Sequence, residues 1–112
     1  MLVTITNDGV KTVISPSGEI DYDTLPDLLA AAQELSKSVT HVTWDLREVL
    51  FMDSTGLHLL DDQWSACLET GHTLAVTGLQ AQPLYLLRLI QELSPEYRWA
   101  DFLPACPSAA AA

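Results

Sequence analysis

The stretch Phe51–Met52–Asp53–Ser54–Thr55–Gly56 sets a carboxylate, two hydroxyls and a glycine directly behind two large apolar side chains. Hydroxyls in such a place either cap a helix or accept a phosphoryl group. Asp, Ser and Thr are all favoured at helix N-termini, so Asp53 or Ser54 is expected to be the N-cap of a following helix. The first N–H groups of a helix lack intrahelical partners and carry the positive end of its dipole. A phosphate on Ser54 would therefore lie near donors suited to it. Gly56 takes a side chain out of the first turn, which would let another protein's backbone approach closely. Helix formation alone does not favour it, because Gly costs up to about 1 kcal/mol against Ala.

Other groups offer less. Ser54, Asp53 and His58 contain the residue types of a hydrolase, but no G-x-S-x-G elbow surrounds the serine, and the chain is not read as an enzyme. His58 and Asp62 stand one helical turn apart, as metal ligands can, yet no third ligand accompanies them. Their spacing is that of ordinary surface neighbours. His41 and His72 begin strand-like runs without a partner pattern. Cys67 and Cys106 form no C-x-x-C pair, and Cys67 reads as a buried reduced thiol. No metal site is expected.

The charge balance narrows the partners. Five Lys and Arg face fifteen Asp and Glu, a formal net charge of −10. Binding to a phosphate backbone needs basic side chains, so nucleic acid is excluded as a partner. Anionic membrane surfaces are disfavoured as well, and a basic protein surface is suited. With 48% hydrophobic residues and a mean hydropathy of +0.17, the chain reads as globular. Its length of 112 residues suits one domain. No apolar run approaches the roughly 18 residues that span a bilayer. The N-terminus MLVTITNDG reads as a strand and lacks the basic start of a signal peptide, so the cytoplasm is the expected location.

Elements must then position the serine. Residues 2–6 and 10–15 read as strands around Asn7–Asp8–Gly9, a hairpin signal. Ser15–Pro16–Ser17–Gly18 reads as a break, followed by Glu19–Ile20–Asp21. A helix is expected over 24–36, with Thr24 as cap and Pro26 in its first turn. Residues 41–46 alternate as a strand, and Glu48 to Met52 lead into the serine stretch. The next helix spans 55–69, with Leu57, Leu60, Trp64, Cys67 and Leu68 as its apolar stripe and Gly71 as C-cap. A buried strand follows over 72–78. A third helix spans 82–93, with Leu86, Leu87, Ile90 and Leu93 inward, and Ser94–Pro95 stops it. Residues 97–103, with Arg98 and Trp99, read as a last strand or short helix. Residues 104–112 read as a disordered tail. The order β-β-α-β-α-β-α predicts an α/β fold with right-handed crossovers.

Gly18–Glu19–Ile20–Asp21, then Asp45–Leu46, then Phe51–Met52–Asp53–Ser54–Thr55–Gly56–Leu57 occur in this order with a helix and a strand between. Together they resemble the STAS domain of bacterial anti-sigma-factor antagonists, whose pattern reads GELD, D-L and F-M-D-S-S-G-L. The likeness covers residues 2 to 103, so the expected domain runs over 1–103. It implies a single mixed β-sheet with crossover helices packed against it. It also implies that Ser54 is the serine phosphorylated by a kinase-type anti-sigma factor, with Thr55 as a second candidate. Asp21, Asp53 and Gly56 correspond to the surroundings of that serine. Asp23, Thr55, Leu57, His58, Asp61 and Asp62 fall on the surface that meets the partner. Thr55, where a second serine is common, and His58, where a small residue follows the G-L pair, depart from the pattern.

The resemblance implies a partner switch. The unmodified protein binds an anti-sigma factor with serine kinase activity, a sigma factor is released, phosphorylation of Ser54 lowers the affinity, and a serine phosphatase resets the cycle. No cofactor belongs to the chain itself, since ATP belongs to the kinase. An alternative is an accessory subunit of an ABC transporter, whose helix docks on the ATPase without a phosphorylation cycle. A stressosome-like scaffold part is a third reading.

Overall fold

A computed structural model of the chain describes residues 1–35 and 38–93. The element expected over 97–103 and the tail over 104–112 lie outside the described residues. β1 (Leu2–Asp8) and β2 (Lys11–Ile20) form the expected antiparallel hairpin, turning at Gly9, whose φ of 63° suits glycine. β1 and β2 put Ile5 opposite Ile14 and Val3 opposite Pro16.

β2 does not break at Ser15–Pro16. It runs ten residues and serves two parallel partners in turn. Residues 11–14 pair with β3 (His41–Asp45), and residues 17–20 pair with β4 (Glu48–Met52). Pro16 has no N–H to donate. It falls in the interval between the two ladders, so its missing donor costs neither of them a bond.

Residues 48–52 are therefore a strand in their own right, and the order is β-β-α-β-β-α-β-α. β3 and β4 follow one another along the same side of β2, joined by a jog at Leu46–Arg47. Local bonds pin that jog. Leu46 N–H donates to Thr77 O at 2.9 Å, and the Arg47 guanidinium meets Asp45 at 2.8 Å. β5 (Thr73–Thr77) lies parallel on the far side of β3. The result is a five-stranded mixed sheet, as the α/β reading predicts.

Among the described residues, three helices cover it: α1 (Leu25–Gln33), α2 (Ser54–Thr70) and α3 (Ala81–Leu93). One core cluster joins Ile14, Trp44, Val42 and Val76 from the strands to Leu28, Leu60 and Leu87 from the helices. Two expected core positions are surface instead. Leu68 lies one residue, or about 100° of helix, past buried Cys67, and is exposed. Leu93 is exposed on the last turn of α3, while Leu87 is fully buried and Leu86 and Ile90 only partly. Leu59, not expected inside, is buried.

α2 ends as the sequence predicts. Gly71 takes φ 75°, its N–H faces Leu68 O, and His72 N–H donates to Cys67 O at 2.8 Å, a Schellman closure. Burial pushes the Cys67 thiol pKa up, which lowers its thiolate fraction. In a Cys106→Ser background, alkylation of Cys67 at neutral pH is expected to run roughly tenfold or more slower than in the urea-unfolded chain. Equal rates, followed by mass spectrometry, would contradict this burial.

Candidate functional site

The site begins with a bulge. In the β2–β4 ladder Gly18 pairs with Val49 and Glu19 with Phe51, so Leu50 has no partner. An unbroken strand alternates its side chains between faces. The extra residue resets the count: Val49 and Met52 are buried while Leu50 and Phe51 both face out. Gly18 stands opposite the bulge with φ 125°, a backbone that L-residues rarely adopt. Met52 is thereby held in the core, and the chain leaves the sheet at Asp53.

Asp53, not Ser54, caps α2. Its backbone is extended, and its side chain accepts from Thr55 N–H at 2.8 Å. Its own N–H donates to Ile20 O at 3.2 Å, which fastens the helix start to the end of β2. Gly56 is buried, and a Cβ there would stand 2.9 Å from Met52 Sδ and 3.2 Å from Ile20 Cγ2. The glycine thus lets α2 lie against its own sheet. The expectation that it opens the backbone to another protein does not hold.

Asp21 starts α1 in the same way. Its Oδ1 accepts from Thr24 N–H at 3.1 Å, and its own N–H donates to Thr24 Oγ1 at 3.0 Å. Leu25 N–H donates to Asp21 O at 3.0 Å, as in a helical turn. This is a reciprocal cap centred on Asp21, in the manner of a capping box. Thr24, the expected cap, makes no side-chain capping bond forward into the helix. Because Ile20 pairs with Met52, the strand register places Asp21 beside Asp53. Two helix N-termini therefore open together at the C-terminal ends of parallel β2 and β4, each capped by an aspartate.

Ser54 is exposed on the first turn of α2, and its side chain makes no hydrogen bond among the described residues. Thr55 is half-buried. The nearby donors are partly spoken for: the Asp53 carboxylate takes Thr55 N–H, and Asp53 O accepts from Gly56 N–H at 3.0 Å. An anion carried by Ser54 would face outward beside Asp53 rather than settle on those two amides.

Asp23, His58 and Asp62 are exposed, and Asp61 is half-buried. Leu57 is only 6% exposed and belongs to the core, so its side chain offers nothing to a partner. That corrects its place on the partner surface: the residue after Gly56 points at the sheet that Gly56 touches. Among the described residues, no three His, Cys, Asp or Glu side chains gather as a metal set, and no helix is long and apolar enough to cross a membrane.

One positioning residue escaped the sequence reading. The Gln82 carboxamide accepts from Met52 N–H at 2.9 Å and donates to Met52 O at 3.0 Å, like a short strand laid along the free edge of β4. Gln80 holds Arg47 O at 3.1 Å. A glutamine at a helix start carries no local signal for such a task, since its partner lies thirty residues away in the chain.

A family model described as the STAS domain matches residues 1–94. An anti-sigma factor antagonist from Mycobacterium paratuberculosis superposes with a TM-score of 0.68 at 24% identity, covering 96% of this chain and 86% of that one. The Bacillus cell fate determinant SpoIIAA in its phosphorylated form gives 0.69 at 15% identity, with 96% and 92% covered. Unphosphorylated SpoIIAA gives 0.62 at 16% identity, with 97% and 90% covered. At these identities the likeness establishes the fold. No curated protein matches the chain by sequence.

Two stability differences should follow. Removing the cap by Asp53→Ala is expected to cost about 1 kcal/mol, whereas Ser54→Ala should stay within about 0.5 kcal/mol. Gly56→Ala should cost about 1–3 kcal/mol through crowding against Met52 and Ile20, although Ala is the better helix former. Urea midpoints at constant m-value decide both, and a stabilised Gly56→Ala protein would disprove the close packing.

Proposed function

This chain belongs to the STAS family; from that premise we propose that it is an anti-sigma-factor antagonist switched by phosphorylation of Ser54. The observation that carries the reading is the exposed Ser54 side chain on the first turn of α2, without a hydrogen bond among the described residues and at the serine position of the family pattern. The partner is an anti-sigma factor with serine kinase activity, met in the cytoplasm. Binding of the unmodified protein displaces a sigma factor. The chain contributes the acceptor and its surroundings, and the partner contributes ATP and the catalytic groups.

Ser54 Oγ bonds to the γ-phosphorus of ATP, the bond from that phosphorus to the β-bridging oxygen breaks, and the hydroxyl proton passes to a base of the kinase. Phosphoserine and ADP result. The kinase must hold its nucleotide against Ser54 to do this. After transfer, a phosphate of about −1.5 to −2 charge faces the ADP it came from, with Asp53 and Asp21 alongside. Like charges then oppose the complex, and each 1.4 kcal/mol lost lowers affinity about tenfold. A serine phosphatase reaches the same exposed group and restores the binding form. Thr55, half-buried, is the second acceptor to be tested.

The test compares tagged wild type, Ser54→Ala, Ser54→Asp and Thr55→Ala in the producing cells, with phosphopeptide mapping of the wild type. A kinase-type anti-sigma factor is expected with wild type, Ser54→Ala and Thr55→Ala, and at least about tenfold less with Ser54→Asp. Recovery of a transporter ATPase equally with all four, and no phosphate on Ser54, would overturn the reading.

A further inference from the structure

The bulge in β4 leaves two adjacent apolar side chains outside the fold, Leu50 at 71% and Phe51 at 42% exposure. Tyr22, in the turn that opens α1, is 79% exposed. All three leave the fold at the C-terminal ends of β2 and β4, where Ser54 stands. Exposed apolar residues clustered inside a polar rim mark contact sites more often than scattered ones do. The rim here is acidic. Glu19 pairs across from Phe51, Asp23 follows Tyr22, and Glu48 opens β4. Among the described residues, Arg47 is paired with Asp45 at 2.8 Å, and Lys11 lies at the far end of β2.

The outer face of α2 differs. Asp61 and Asp62 give it charge and His58 a polar ring, but no exposed large apolar side chain follows Ser54 before Leu68. Interfaces draw most of their energy from a few buried aromatic and apolar anchors. α2 near Ser54 has none to offer.

We propose that Tyr22, Leu50 and Phe51 are the anchors of a docking face, and that the partner it fits presents an apolar recess ringed by lysine or arginine. α2 then supplies the acceptor serine and little of the binding energy. The acidic rim speeds encounter, which makes association faster at low salt. The proposal rests on the preceding reading only in placing the partner around Ser54.

Photoreactive benzoylphenylalanine in place of Leu50 or Phe51 tests this in the full chain within the producing cells. The control position is Leu68, exposed and about 21 Å along α2 from Ser54. Positions 50 and 51 are expected to label one protein, at a peptide bearing lysine or arginine close to the adduct, while position 68 labels nothing. A Leu50→Ser/Phe51→Ser double variant, with its melting temperature unchanged, should recover that protein about tenfold or more less well. No adduct at 50 or 51, an adduct only at 68, a partner peptide without basic residues, or labelling of a second copy of this chain each overturns the proposal. A labelled transporter ATPase would keep the docking face and sink the anti-sigma reading, so the two fail separately.

Discussion

The structure turns on the parallel pairing of β4 with the second half of β2. Ile20 lies opposite Met52, and the next amide, Asp53 N–H, bonds back to Ile20 O. That short ladder brings the end of Gly18–Glu19–Ile20–Asp21 against the end of Phe51–Met52–Asp53. Both strands run the same way, so both release their chain into a helix at the same edge. Gly56 can touch Met52 and Ile20 only because the ladder sets them side by side. Gln82 matters for the same reason, since it closes the edge of β4 that β2 leaves open.

Two aspartates share the task of starting those helices. Asp21 caps α1 and Asp53 caps α2. Each carboxylate is placed where the helix dipole favours negative charge. The paired helix ends soften what would otherwise be a crowd of like charges around Ser54. Among the described residues, the Ser54 side chain takes no part in this bonding.

The sequence carried local signals well. The alternation of Val42 and Trp44, the Gly71 cap and the hairpin at Gly9 each depend on a few neighbouring residues, and each appears in the structure. The motifs around Ser54 were legible through their resemblance to one family. What stayed hidden depends on residues far apart. Pro16 reads as a break until β2 is seen to change partners at that point. Val49–Leu50–Phe51–Met52 has four apolar residues in a row and so no visible period; only the ladder with Gly18 and Glu19 shows which two face in. Gly56 reads as open space until Met52 is placed beneath it. Leu57 and Leu68 both fit an apolar stripe, and only the packing of α2 on the sheet shows that one is core and the other surface.

The occupied end of α2 bears on time as well as shape. Asp53 already holds the Thr55 and Gly56 amides, so a charge placed on Ser54 would not find those two donors free. Were Ser54 phosphorylated as proposed, neither amide would have to leave Asp53 to make room, and the lifetime of the mark would rest with the enzymes that add and remove it.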